Sequence, residues 1–185
     1  MPHTPALHPN SASHDFDVTV IGAGAAGLFC AGVAGQLGLK VLLVDHAEKV
    51  AEKIRISGGG RCNFTNRDLD PAAPHKHFLG ENPQFCHSAL ARYTPKDFIA
   101  LMERHGLTFH EKHKGQLFCD TSAQAVIDML LKECVAGQVT HWQPCSVKSI
   151  SFSASDHLNK KTYSYQLESN RGTVTSHAVV VATGG

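Results

Sequence analysis

Apolar positions change their spacing along the chain, and each change marks an element. Val18, Val20 and Ile21 make a short β-rich run. A stretch dominated by small residues follows (Ala25, Ala26, Ala31, Gly32, Ala34, Gly35), and it reads as a helix that stops near Gly38, a natural left-handed cap. Residues 41–44 are an unbroken apolar run, as expected of a strand buried in a parallel sheet. Thr94 and Pro95 open another helix with a side-chain cap and a proline at its first position. Phe98, Leu101, Met102 and His105 share its face, and Gly106 ends it. A further helix starts around Thr121 or Ser122, carries Ile127, Leu130, Leu131 and Cys134 on its apolar face, and closes before Gly137. From Val139 the pattern turns to short β-rich runs at 146–152, 162–167 and 173–175, with turns at 155–160 and 169–172. The last seven residues, VVVATGG, read as one more strand running into glycines.

The first strand, helix and second strand are joined by chemistry as well as by pattern. Gly22, Gly24 and Gly27 have the spacing of the dinucleotide fingerprint, and Asp45 follows the second strand 23 residues after Gly22. Gly22 permits the tight turn, Gly24 lets the backbone approach a pyrophosphate, and Gly27 lets the helix pack closely on the strand. The free amides at the helix start, at Ala25 and Ala26, face the phosphates. Asp45 is placed to accept from ribose hydroxyls, which points to an unphosphorylated ribose, as in NAD or the adenosine half of FAD. A chance glycine turn lacks the flanking strand, helix and carboxylate.

Residues 53–66, KIRISGGGRCNFTN, put three consecutive glycines between Ser57 and Arg61. Such a run keeps side chains away from a ligand, so that amides can line a flat or anionic group; taken alone it also fits a surface loop. Together with VIGAGAAG, the string SGGGRCNFTN resembles the BaiN/RdsA-type NAD(P)/FAD-dependent oxidoreductases, flavoproteins built on a glutathione-reductase-like FAD fold. FCHSALARYTPKDF at 85–98, HEKHKGQLFCDTSAQAVIDML at 110–130 and the terminal VVVATGG agree with it, and the resemblance covers 17–185. One departure stands out: the family commonly has Gly-Arg-Lys where this chain has Ala51-Glu52-Lys53. Glu52 reverses a charge close to an expected anionic cofactor, and Lys53 and Arg61 remain to offset it.

The resemblance implies an α/β, glutathione-reductase-like, Rossmann-type FAD-binding fold with a parallel sheet, a helical insertion and a β-meander. Its cofactor-binding residues are Gly22, Gly24, Ala25, Ala26, Gly27, Asp45, Lys53, Ser57, Gly58, Gly59, Gly60, Arg61, Cys62, Asn63, Val147, Ala182, Thr183 and Gly184. Of these, Val147 would lie beside the adenine, and Ala182 to Gly184, with Gly185, would form a second cofactor wall. Family members are roughly twice as long as this chain, so it reads as an N-terminal portion, incomplete at the C-terminus, that lacks the substrate domain and the closing FAD segment. The expected division is a loose tail over 1–16 and an FAD-binding domain over 17–185. Expressed alone, such a portion is expected to bind FAD weakly, to aggregate and to be inactive.

Composition narrows the partners. A formal charge of +1 gives no strong field for DNA, RNA or an anionic membrane. No apolar run reaches the roughly 20 residues that span a bilayer, and residues 1–14 resemble neither a secretory nor a transit segment, so a cytoplasmic protein is expected. Six scattered cysteines form no CxxC pair and read as packing residues in a reducing compartment. Cys62 alone, in SGGGRCN, invites a redox role. Thirteen histidines include His110, His113 and the pair His75 and His77, but HEKH is not HExxH; it reads as a polar loop running into Gly115, and no metal site is expected.

The function expected is an FAD-dependent oxidoreductase moving hydride between NAD(P)H, flavin and an electron-poor C=C bond. By resemblance the substrate is a small conjugated enone, as in bile-acid reduction, or a uridine of ribosomal RNA, with the near-neutral charge leaning to the small molecule. No general acid is identified. The alternatives are a non-catalytic nucleotide-binding fragment and an NAD-only Rossmann domain.

Overall fold

The computed structural model describes residues 14–78, 80–157 and 160–184, and they form two compact units. The expected tail over 1–16 falls mostly outside the described residues, and its last three positions already belong to a strand.

The first unit holds residues up to Val50 and from Glu133 onward. Its strands are β1 (His14–Ile21), β2 (Val41–Val44), β6 (Thr140–Trp142), β7 (Val147–His157), β8 (Lys160–Ser169) and β9 (Gly172–Val181). They make one sheet in the order β6-β2-β1-β9-β8-β7. The four strands from β6 to β9 in that order run parallel, with Val18 opposite Val41 on one side and Ala178 on the other. β7, β8 and β9 are an antiparallel meander, which returns the chain to the parallel strands at β9, beside β1. β2 is buried along its whole length, as its apolar run requires. Helix α1 (Ala25–Gln36) packs on β1 and β2 and buries Gly27, Leu28, Ala31 and Gly32. Phe16, Leu42, Val44, Cys145, Leu167 and Val174 form a core cluster, with Trp142, Val147 and Tyr165 packed against it. The hydroxyls of Thr19 and Ser176 pair with each other in the sheet interior, which satisfies both buried groups.

The second unit covers 51–132. It contains α2 (Glu52–Ile56), β3 (Asn63–Asn66), α3 (His87–Arg92), α4 (Pro95–Arg104), β4 (Phe109–Glu111), β5 (Gln116–Cys119) and the greater part of α5 (Ala123–Ala136). The strands form an antiparallel sheet in the order β3-β5-β4, with Leu117 and Cys119 fully buried. α4 begins as its sequence predicts: the Asp97 carboxylate accepts from the Thr94 N–H at 2.6 Å and from the Thr94 hydroxyl at 2.7 Å. Those two bonds hold the Asp97 carboxyl below the usual carboxylate range. Phe64 of β3 stacks with Phe98 of α4 at 5.7 Å.

Two expectations change. HEKH is no polar loop: His110 and Glu111 lie in β4, and the chain reverses through Lys114 (φ 49°) and Gly115 (φ 71°) into β5. The β-rich runs are pieces of longer strands, since 173–175 and the Val-rich terminal run are both parts of β9. Of the turn expected at 155–160, residues 155–157 belong to β7 and Lys160 to β8, and the two between them lie outside the described residues.

Candidate functional site

At the C-terminal ends of β1, β2 and β9, the first unit brings the fingerprint residues together. Gly22 adopts φ 105°, and a Cβ there would stand 2.5 Å from the Ala182 carbonyl oxygen. The Gly22 N–H donates to the Val44 carbonyl at 2.7 Å, and the Ala182 N–H donates to the Ile21 carbonyl at 2.8 Å. The turn is thus clamped between its two neighbouring strands. A Cβ on Gly27 would come 1.7 Å from the Gly22 carbonyl oxygen, so glycine is obligatory where α1 crosses the turn. Gly24 is different: a Cβ there would meet nothing within 4 Å. The one glycine assigned to a pyrophosphate therefore faces open space, beside the exposed Ala25 and Ala26 at the helix start, where N–H groups have no intrahelical partner.

Asp45 sits just beyond β2 with its side chain 13% exposed. Its Oδ2 accepts from the Ala23 N–H at 2.6 Å and its Oδ1 from the Ala47 N–H at 2.8 Å. The Cys145 N–H donates to the Asp45 carbonyl at 2.6 Å, which fixes the chain two residues before Val147 enters β7. His141 on β6 is also in this neighbourhood: burial holds its imidazole below the ordinary value, against the opposing effect of Asp45. Thr183 and Gly184 are exposed beyond β9, and Gly185 lies outside the described residues.

The remaining candidates lie in the second unit. α2 runs into a tight helical turn over Ser57–Gly60, in which Gly58, Gly59 and Gly60 take φ of 57°, 65° and 83°. Three successive residues have positive φ, and only glycine adopts that run without strain. Gly59 and Gly60 face open space, whereas Gly58 is covered by Phe118. The Ser57 hydroxyl donates to the Ile54 carbonyl at 2.8 Å. The Arg61 guanidinium donates to the Asp120 carbonyl, and Asn63 opens β3. Cys62 is buried, and burial raises its thiol pKa. Lys53 is exposed on α2, and Glu52 is met by Arg55 at 3.8 Å, so its reversed charge is answered locally. Ala51 holds φ 57°, in the left-handed region that favours glycine.

Sequence reasoning missed the latch role of Asp45 and the pairing of His110 with Asp120. The left-handed pair Lys114-Gly115 between β-rich runs is a hairpin signal, and reading it would have put His110 on a strand opposite Phe118. Among the described residues, no group of three or more His, Cys, Asp or Glu side chains is arranged to hold a metal, and no helix is long and apolar enough to cross a membrane.

The family model described as "HI0933-like protein Rossmann domain" matches residues 16–185. The chain is 49% identical over 170 residues to the ribosomal RNA dihydrouridine synthase of Escherichia coli, covering 92% of this chain and 40% of that protein. It is 26% identical over 140 residues to the 3-dehydro-bile acid delta(4,6)-reductase of Clostridium scindens, covering 74% of this chain and 33% of that one. This chain thus spans two fifths or less of the curated relatives it matches. Among solved structures, L-proline dehydrogenase from P. horikoshii superposes with a TM-score of 0.58 at 11% identity, over 93% of this chain and 54% of that one. The amino acid oxidase NikD superposes with a TM-score of 0.56 at 13% identity, over 93% and 52%. At such identities the likeness concerns the fold, and it agrees with the Rossmann-type sheet described above.

Proposed function

The chain belongs to the HI0933-like Rossmann-domain family, and on that premise we propose that it is the FAD-holding part of a flavin-dependent oxidoreductase that saturates an electron-poor C=C bond at the expense of NAD(P)H. The observation that carries this reading is the glycine turn: Gly22 and Gly27 are locked by backbone contacts while Gly24 opens onto free space. That is the shape needed for a pyrophosphate to meet helix amides.

In this reading Gly24, Ala25 and Ala26 bind the pyrophosphate, and Asp45 holds the turn and offers its remaining lone pairs to the ribose. Val147 flanks the adenine, and Ala182, Thr183 and Gly184 line one side of the cofactor. Of the second unit, taken by itself, Gly58 to Gly60, with Ser57, Arg61, Cys62, Asn63 and Lys53, are the residues proposed for cofactor binding. Bound FAD supplies hydride transfer between a nicotinamide and the substrate.

Ribosomal RNA uridine is the preferred substrate, because the relative at 49% identity carries that name and the bile-acid reductase stands at 26%. Both names describe reduction of a double bond conjugated to a carbonyl, which supports one chemistry for either substrate. The six free thiols fit a reducing, cytoplasmic compartment. The test is absorbance of the purified full-length protein: flavin bands that bleach under NAD(P)H without oxygen support the reading, and a colourless protein that binds only NAD overturns it.

A further inference from the structure

A cluster of titratable groups in the second unit has no part in the cofactor assignment above. His110 stands on β4 and Asp120 follows β5, with His110 Nδ1 and Asp120 Oδ1 2.7 Å apart. The His110 ring stacks on Phe118, its cross-strand neighbour, at 6.2 Å and 22°. Phe118 in turn occupies the space that a side chain on Gly58 would need, 2.7 Å from that Cβ position. Arg61, which closes the glycine turn, donates to the Asp120 carbonyl. The dyad and the Ser57–Gly60 turn therefore share one aromatic support, Phe118 of the central strand β5.

The chemistry of the pair is specific. Hydrogen bonds from His110 and then Thr108 hold the Asp120 carboxyl below the usual range, so it remains an acceptor at neutral pH. The other charged neighbours are Arg61 and Lys112, whose Nζ lies over the Phe118 ring at 5.4 Å. A carboxylate that accepts from Nδ1 fixes the imidazole tautomer and leaves Nε2 as the nitrogen that exchanges protons. The His110 side chain is 49% exposed, so its ring is open to a ligand.

We propose that His110 is the proton donor to the substrate, with Asp120 as its positioning residue; this rests on the flavin reading above. Saturating the C=C bond removes one π bond and forms two C–H bonds. With FAD bound, the β-carbon would receive a hydride supplied by NAD(P)H. The α-carbon takes the proton from Nε2 of the His110 imidazolium, which leaves the neutral ring with its proton on Nδ1 facing Asp120, and a proton from solvent restores the imidazolium.

The test uses the full-length flavoprotein as wild type, His110→Gln and Asp120→Asn. Flavin content and NAD(P)H-driven bleaching should stay within about twofold of wild type in both variants. Reoxidation of the reduced protein is then followed anaerobically with ribosomal RNA from cells lacking the protein and, in parallel, with cyclohexenone. It should slow about a hundredfold or more in His110→Gln, the scale of a lost general acid, and about tenfold in Asp120→Asn. A yellow wild type whose His110→Gln variant reoxidises at the wild-type rate overturns the proton-donor assignment and makes the dyad a surface ion pair. A colourless wild type overturns the flavin reading instead. Should His110→Gln lose its flavin, ring nitrogen chemical shifts of wild-type His110 decide: the proton on Nδ1, and its loss of preference in Asp120→Asn, supports the proposal, and a neutral ring protonated on Nε2 overturns it.

Discussion

The backbone N–H of Ala23 donates to Asp45 Oδ2 across 2.6 Å, so the carboxylate at the end of β2 closes the glycine turn that follows β1. The second carboxylate oxygen caps the Ala47 N–H at 2.8 Å. Asp45 is thereby a latch on the turn even before any ribose is considered. Asp45→Ala should lower the stability of the nucleotide-free protein by about 2–4 kcal/mol, since two amides lose a charged acceptor in a nearly buried place. FAD affinity should fall about tenfold to a hundredfold. Urea midpoints without nucleotide and titrations with it separate the two effects. An unchanged midpoint removes the latch, and less than a twofold change in affinity removes the ribose role.

The glycines of the turn should respond oppositely to alanine. At Gly27 the new Cβ would lie 1.7 Å from the Gly22 carbonyl oxygen, and no side chain is there to give way. Gly27→Ala should cost about 2–3 kcal/mol or more, as overpacking against backbone does. At Gly24, with φ −83° and nothing within 4 Å, alanine should change stability by less than about 1 kcal/mol. Its methyl group would nevertheless enter the space reserved for phosphate, so Gly24→Ala should keep its denaturation midpoint and lose nucleotide affinity. Equal loss of stability in both variants would contradict this assignment.

The turn, α1, β2 and α4 are legible in the sequence because each rests on local chemistry: glycine spacing, an uninterrupted apolar run, a Thr94–Asp97 capping pair. The second unit is less legible. Its β3 and β4 are only four and three residues long, and their faces are mixed, so neither shows a clean period. The three glycines read equally well as a loop, and Phe118, which covers Gly58, is sixty positions away. β6 is hidden in the same way: its polar Thr140 and His141 join the sheet only because β2 offers a free edge. Over 148–154 the strand β7 is exposed and rich in serine, and it lacks the one-sided burial that reveals strand length.

Cys134 should govern part of the alkaline stability. Its thiol donates to the Leu28 carbonyl at 3.2 Å, and burial pushes its pKa from an ordinary 9.0 to about 11. The folded protein keeps this proton while the unfolded chain releases it. The stabilisation is therefore complete below about pH 9 and is lost as pH rises to about 11. Denaturation midpoints over that window should fall more steeply for wild type than for Cys134→Ala, and parallel slopes would contradict the assignment.

Cys62 lies within the SGGGRCN motif but is 5% exposed, and burial raises its pKa. A buried, protonated thiol is a poor nucleophile. Iodoacetamide at pH 8 should leave Cys62 unmodified in the folded protein, and Cys62→Ala should retain NAD(P)H-driven flavin reduction within about twofold. Rapid alkylation at this position, or loss of reduction in the variant, would assign it a redox role.

The central claim is that the glycine turn and Asp45 hold the dinucleotide of FAD. Denaturing the purified full-length protein and identifying the released nucleotide by chromatography tests it most directly. The account predicts FAD in a ratio near one per chain, greatly reduced in Gly24→Ala. Release of FMN, of NAD without flavin, or of no nucleotide would contradict it.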